Sequence, residues 1–372
     1  MIIRRPGSGC TTFLVAALIF ILLFLGTQDA LHLTPELLHS TTTTSSSKIP
    51  NQIHYVYILR DPAANFTFQF KHFLSLYSTL HHWHPEKIYL HTNAHNTSIE
   101  HARTGQSGKW NRLIFTTPNL HINPVDPPTA AHNGHPIDQI EHKSDFIRVS
   151  AVRQFGGVYL DWDAHPIRDI APVRESGFTS ITGRQAGGEI MSGTFLARKD
   201  ALLLRMWEEE MHRVYDGGWT THSNAAVTRL GQRLARLPGE VLIMEQDAFG
   251  PGSWMVQDNI ELYGIHNETD AELDVDSISD CTLLPVFPDE GLTDRWDPER
   301  AGEFPAWERD YSNTYILHAF SPARNGNPVE GFEAITPRYV LERRSNFARV
   351  LYPVVRRMCE EGVLGMDDSY IG

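Results

Sequence analysis

The sequence predicts an α/β fold, and three observations predict it. Short apolar runs alternate with amphipathic stretches from Lys48 onward, the pattern of strands interleaved with helices. Glycine and proline punctuate the joints, as at Pro85 and Gly156-Gly157. At 372 residues and 41% hydrophobic content, the chain can bury the core of one large domain or two fused lobes.

The elements follow in order. Ile53–Leu59 (IHYVYIL) is rich in β-branched and aromatic residues and reads as a strand. Phe66, Phe70, Phe73, Leu74 and Tyr77 share one helical face, which predicts a helix over Phe66–Leu80. His81, His82 and His84 have no carboxylate or cysteine partner nearby and read as its polar end rather than a metal site. Ile88–His91 is a second short strand and Leu113–Phe115 a third. Asn119–Pro136, rich in Pro, Asn and His, reads as a loop. The helical period returns over Ile137–Phe155, with Asp138 as its opening residue and Gly156-Gly157 as its stop. Val158-Tyr159-Leu160 is a brief apolar strand. Helices are expected at Ala201–Tyr215 and His222–Leu237, an apolar run at Tyr315–Ala319, and a last helix over Thr336–Glu361 interrupted by Pro353.

The N-terminus predicts a membrane address. Arg4 and Arg5 precede an apolar run from Phe13 to Leu25 inside a longer uncharged stretch. Counting from Cys10 to Gly26, the run approaches the ~20 residues of a bilayer span. The two readings are an uncleaved anchor and a cleaved signal; no clear small-x-small cleavage site follows, which favours the anchor. The arginines would then stay cytoplasmic. Thr41–Ser47 (TTTTSSS) is too polar to bury a core and reads as a stalk. The expected division is residues 1–28 tail and signal anchor, 29–48 stalk, and 49–372 a luminal catalytic domain. Sequons at Asn65, Asn96 and Asn267 agree with that address. The net charge of −13 and the absence of a basic run argue against nucleic acid. Cys281 and Cys359 are either one disulfide or two free thiols.

Chemistry concentrates in Ser144–Pro166, SDFIRVSAVRQFGGVYLDWDAHP. In an extended segment Asp161 and Asp163 point one way and Trp162 the other. They sit where an apolar strand runs into a loop, and ligands of open α/β sheets bind at such strand ends. Two carboxylates on one side repel unless a cation lies near them; a hard divalent ion, Mn²⁺ or Mg²⁺, fits. On the preceding helix Asp145 and Arg148 share a face. The guanidinium suits phosphate or hydroxyl groups, and the carboxylate can accept bonds from sugar hydroxyls.

The order Ser-Asp-x-x-Arg, then Gly-Gly-Val-Tyr-Leu-Asp-x-Asp, resembles the DXD sugar-binding region of glycosyltransferase family 32, which includes fungal initiating α-1,6-mannosyltransferases. Ile49-Pro50-Asn51-Gln52-Ile53-His54 is similar to the segment that leads the family's first nucleotide-binding strand. His318, after Tyr315-Ile316-Leu317, resembles a late histidine that joins the metal or diphosphate. Ser192 and His222-Ser223-Asn224 depart from the family pattern.

The resemblance implies a GT-A type fold, a mixed sheet flanked by helices. It implies a metal-dependent hexosyltransferase, which the N-terminal run would make a single-pass type II protein of the Golgi or ER membrane. The donor would be a nucleotide sugar, GDP-mannose first, and the acceptor a glycan, glycoprotein or glycolipid, with anomeric configuration retained. Asp161, Asp163 and His318 would hold the metal, and Asp145 and Arg148 the donor. Gly157 and the first-strand pair His54 and Tyr55 are further donor-binding candidates, His54 and Tyr55 reading equally as strand packing and Gly157 as a helix stop. Two rivals stand beside this reading. A haloacid-dehalogenase-like phosphatase places its nucleophile in Asp-x-Asp-x-Thr, whereas here the fifth position is His165. A non-catalytic carbohydrate-binding luminal protein would keep the pocket without turnover.

Overall fold

The computed structural model describes residues 48–267, 275–278, 280–287, 290, 305–322, 326 and 328–372. The expected anchor and stalk lie, up to residue 47, outside these. No helix among the described residues is long and apolar enough to cross a membrane.

The strands are β1 (Gln52–Val56), β2 (Lys87–Thr92), β3 (Leu120–Pro124), β4 (Gly157–Leu160), β5 (Ala164–Pro166), β6 (Ser180–Arg184), β7 (Ile190–Ala197), β8 (Val241–Met244) and β9 (Ile316–His318). Seven form a mixed sheet in the order β3-β2-β1-β4-β7-β6-β8, and β5 pairs with β9 beside it. In the large sheet β7 runs antiparallel to both its neighbours, while the other pairings are parallel. The helices that position the site are α1 (Phe70–Trp83), α2 (Asn96–Thr104), α3 (Lys109–Phe115), α4 (Ile140–Phe155), α5 (Ala171–Arg174), α6 (Leu202–Val214), α7 (Asn224–Leu234), α8 (Gln246–Phe249), α9 (Val256–Tyr263), α10 (Pro337–Leu341) and α11 (Asn346–Glu360).

Two apolar clusters enclose the sheet. One gathers α1, α3, α9 and α11 side chains against Ile53, Leu90 and Leu160. The other packs α4, α6 and α7 against Val56, Tyr159 and Phe195. As central strands, β4 and β7 are buried at every position; β4 is apolar throughout, whereas β7 carries Ser192, Gly193 and Thr194 in its middle. Cys281 and Cys359 are joined by a disulfide, which ties a short 3₁₀ turn to the end of α11.

Several element boundaries differ from expectation. Leu113–Phe115 is not a strand but the end of α3, where Trp110 and Ile114 share the buried face; a three-residue apolar run carries no period of its own. The third strand is instead Leu120–Pro124, inside the expected loop. Among the described residues it pairs with β2 alone, at the sheet edge, where polar residues and a terminal proline are tolerated. Helix α1 begins at Phe70, with the Gln69 amide donating to His72 Nδ1 at 2.8 Å. Helix α4 begins after Gln139, so Asp138 does not open it. The last helix is two, split at residues 342–345, and Pro353 lies within α11.

Candidate active site

The site is built where β4 ends. Gly157 has φ +124°, and a Cβ there would lie 2.2 Å from Gln52 O, so glycine lets β4 close against β1. After Leu160 the chain does not continue extended. The Ala164 amide donates to Asp161 O at 3.0 Å, closing a turn that carries both acids. Trp162 fixes that turn: its indole donates to Val56 O at 2.9 Å and stacks on Tyr55 at 4.3 Å between centroids. The alternation argument thus fails locally, because residues 161–163 are a turn, yet both carboxylates still meet one partner.

That partner is His318. β5 pairs antiparallel with β9, setting Ala164 opposite His318, and the Ala319 amide donates to Asp163 O at 2.8 Å. His318 Nε2 lies 3.1 Å from Asp163 Oδ1 and 3.7 Å from Asp161 Oδ2. Opposite them, a Cβ on Gly193 would lie 2.6 Å from Asp161 Oδ2 and 3.0 Å from His318 Cε1. The absent side chain on β7 is what leaves room for the cluster.

Asp145 and Arg148 arrive from α4, both buried. Arg148 Nη2 pairs with Asp145 Oδ1 at 2.9 Å and Asp161 Oδ1 at 3.4 Å, and its Nη1 donates to Ser192 O at 3.1 Å. Its guanidinium lies over the Tyr159 ring, whose hydroxyl donates to Asp161 Oδ1 at 2.6 Å. The fork is therefore engaged with the protein, and Arg148 acts on the site by holding Asp161. The other Asp145 oxygen takes His222 Nε2 at 2.9 Å. His222 stands where the sequence departs from the family pattern, and no periodicity marks it as a partner of Asp145.

These groups line one cleft of about 1070 Å³. Lys71 and His72 from α1, Gln185 beyond β6, and Trp219 and Trp254 from two loops also face it; none stood out in the sequence. His54, Tyr55 and Gly157 do not line it. His54 is buried in a relay along one sheet face: Asn123 Nδ2 donates to His91 Nδ1 at 2.9 Å, His91 Nε2 meets His54 Nδ1 at 3.0 Å, and His54 Nε2 meets Gly156 O at 2.8 Å. Tyr55 is buried against Ser75 and Thr79. For these three, the geometry corrects the donor-contact reading to strand packing and a close backbone approach.

The electrostatics follow from burial and neighbours. Burial, together with the Asp163 charge, pushes the Asp161 carboxyl up against the pull of Arg148. Burial also acts to raise Asp163, but the charge and hydrogen bond of His318 outweigh it and hold Asp163 below the usual carboxylate range. Burial acts to lower His318, and the Asp163 charge outweighs it in turn. One ligand atom from each of Asp161, Asp163 and His318 lies within 4.8 Å of the others. Two carboxylate oxygens and an imidazole nitrogen suit a divalent cation such as Mn²⁺, and His318 Nε2 faces the carboxylates. Asp161 Oδ1 is held by both Arg148 and Tyr159, its Oδ2 faces His318, and His165 is buried in β5 against Phe347. That is poor ground for a phosphatase nucleophile.

Comparison with known proteins agrees with this placement. Residues 71–179 match the family described as "Glycosyltransferase sugar-binding region containing DXD motif". The chain is 27% identical over 218 residues to Glucan organizing enzyme 1 of Cryptococcus neoformans var. grubii; the match covers 55% of this chain, and the chain spans about half (55%) of that relative's length. Among solved structures, the galactosyltransferase LgtC in complex with donor and acceptor sugar analogs is 13% identical, covering 84% of this chain and 100% of LgtC at a TM-score of 0.39. The glycosyltransferase GlyE of Streptococcus pneumoniae is 13% identical, covering 86% of this chain and 66% of GlyE at 0.36. Structural likenesses this loose add nothing to the geometry. The family match takes in Asp145, Arg148, Asp161 and Asp163, so residues 71–179 of this chain are similar to a glycosyltransferase sugar-binding region of the DXD type.

Proposed function

We propose that the chain is a metal-dependent glycosyltransferase of GT-A type. It would move a hexose from a nucleotide sugar, GDP-mannose first, to a glycan or glycolipid acceptor with retention. The observation that carries this reading is the convergence of Asp161, Asp163 and His318 at one end of a cleft that also holds Asp145 and Arg148. Support for the fold type is the parallel β3-β2-β1-β4 half joined through antiparallel β7. The mannosyl donor rests on the sequence resemblance alone, with UDP-galactose, UDP-glucose and UDP-N-acetylglucosamine as the other donors to test. The Golgi or ER address rests on the apolar N-terminal run with its flanking arginines.

The chain's own residues divide the work. Asp161, Asp163 and His318 would hold Mn²⁺ or Mg²⁺. Bound there, the ion supplies positive charge to the leaving diphosphate. Arg148 and Tyr159 fix Asp161, and His222 fixes Asp145, so the acids are oriented before substrate arrives. Asp161 and Asp163 are part-buried, and the reduced exposure strengthens their interaction with any cation.

The test is release of nucleoside diphosphate from a panel of nucleotide sugars, with Mn²⁺ and with EDTA. We expect EDTA to abolish turnover and Mn²⁺ to restore it. Asp163→Asn should keep the fold and cost on the order of 10²-fold or more in rate. Full activity of Asp163→Asn, or of wild type in excess EDTA, would remove the metal assignment. A covalent phosphoaspartate, with nucleotide sugars left intact, would favour the phosphatase.

A further inference from the structure

Two tryptophans among the described residues are strongly exposed, Trp219 at 53% and Trp254 at 42%. They come from loops far apart in sequence, one before α7 and one before α9, yet both line the cleft that holds the acids. A large aromatic surface left in water is unfavourable and marks a binding groove when it rims one. Trp254 is the better placed for the reaction. Its ring meets Phe320 edge-on at 5.8 Å, and Phe320 packs at 4.3 Å on His318. A continuous aromatic run therefore leads from the metal-ligand candidate along the cleft to Trp254.

The rest of the cleft says what sort of molecule would lie on that ring. Its wall offers hydrogen-bonding groups, among them Ser192, Thr220, Asn224 and Ser321, beside the carboxylates Asp161, Asp163 and Glu141. An indole face next to hydroxyls and carboxylates suits a pyranose, which is apolar across its C–H face and polar at its rim. Four carboxylates, Asp145 included, line the cleft against Lys71 and Arg148, and Arg148 is already paired with two of them, so the lining favours a neutral ring over a second anion. The cleft's size, about 1070 Å³, lies just above the range for ligand pockets, roughly 300–1,000 Å³, so a donor need not fill it.

We infer that Trp254, backed by Phe320, is the stacking platform for a neutral pyranose ring of the acceptor glycan. The inference rests on the transferase reading but takes a separate test. Full-length protein with Mn²⁺ and GDP, or UDP if that is the nucleotide bound, is titrated calorimetrically with α-1,6-mannobiose, laminaribiose and lactose. In parallel, hydrolysis of the nucleotide sugar is followed without any acceptor.

At least one neutral disaccharide should bind wild type. Trp254→Ala should weaken that binding about tenfold or more, as loss of a buried aromatic anchor does. Trp254→Phe should lose less. Acceptor-free hydrolysis and its KM for the donor should change little in both variants. Unchanged saccharide affinity in Trp254→Ala overturns the platform, as does a rise confined to the donor KM. Binding of none of the disaccharides by an otherwise hydrolytically active wild type overturns it too. Failure to bind or hydrolyse any nucleotide sugar is the separate failure of the transferase reading.

Discussion

At the residue scale the site depends on one charge and one missing side chain. Asp145 and Arg148 are spaced like a surface i,i+3 pair, whose removal would cost little. In the fold their side chains are 11% and 9% exposed, and Arg148 also carries Asp161 and the Ser192 carbonyl. Removing the guanidinium leaves the largely buried Asp145 and the part-buried Asp161 without the counter-charge they share. Arg148→Met should therefore lose about 3–5 kcal/mol of stability, read by urea unfolding; a loss below about 1 kcal/mol would return the pair to the solvated-face reading. Gly193 makes the opposite point. Alanine there would drive Cβ to 2.6 Å from Asp161 Oδ2. Gly193→Ala should weaken Mn²⁺ binding about tenfold or more, since a small displacement of preorganised ligands is costly, while circular dichroism stays native. Wild-type Mn²⁺ affinity in a calorimetric titration would refute the crowding argument.

At the scale of elements, the decisive joint is α4 to β4. Its two glycines read as a helix stop in the sequence, and Gly156 indeed ends α4, its amide donating to Val152 O at 2.8 Å. Gly157 has a second duty that no local pattern exposes. Its φ of +124° and the 2.2 Å approach of a Cβ to Gln52 O belong to the parallel β1–β4 pairing, between residues about a hundred positions apart. Gly157→Ala should cost about 1–3 kcal/mol from backbone strain alone, and more from the clash. The check is a lower unfolding midpoint with slower or absent recovery of the sheet signal. An unchanged midpoint would mean that β4 can shift away from β1 freely. Long periodic elements such as α4, α6 and α7 were legible because burial imposes their spacing. Edge strand β3 was not, because an edge needs no apolar pattern.

At the scale of the molecule, buried histidines set a pH limit. Burial, against the bond to Gly156, lowers His54 to about 4, and burial followed by the His54 charge lowers His91 to about 3. Their relay requires neutral rings. Asn123 donates to His91 Nδ1, so His91 Nε2 must donate to His54 Nδ1, and a proton added to His54 Nδ1 would set two donors face to face. Both folded values lie below the unfolded value of 6.5. The unfolded chain then binds more protons between them, and stability falls as pH drops below about 6.5 toward 4. Above pH 6.5 this contribution is complete. We expect the melting temperature to fall over that window, and less so in His91→Gln, which cannot be charged. A melting temperature flat from pH 7 to 4 would contradict the neutral relay.

The sequence by itself determined the α/β class, the helix that carries Asp145 and Arg148, the strand β4 at whose end Asp161 and Asp163 lie, and the resemblance those residues share with DXD transferases. These are local signals, written in periodicity and in a motif some twenty residues long. The resemblance also pointed to His318, but only tertiary structure decided how it meets the acids, through β5–β9 pairing at a separation of 155 residues from Asp163. Tertiary structure also decided that His222 holds Asp145, that Gly193 makes room for Asp161, that His54 and Tyr55 are packing residues, and that Trp254 reaches the cleft. Each of these is a contact between segments remote in sequence. Such contacts follow from strand order and close packing, and a one-dimensional pattern records which faces are apolar but not which face meets which.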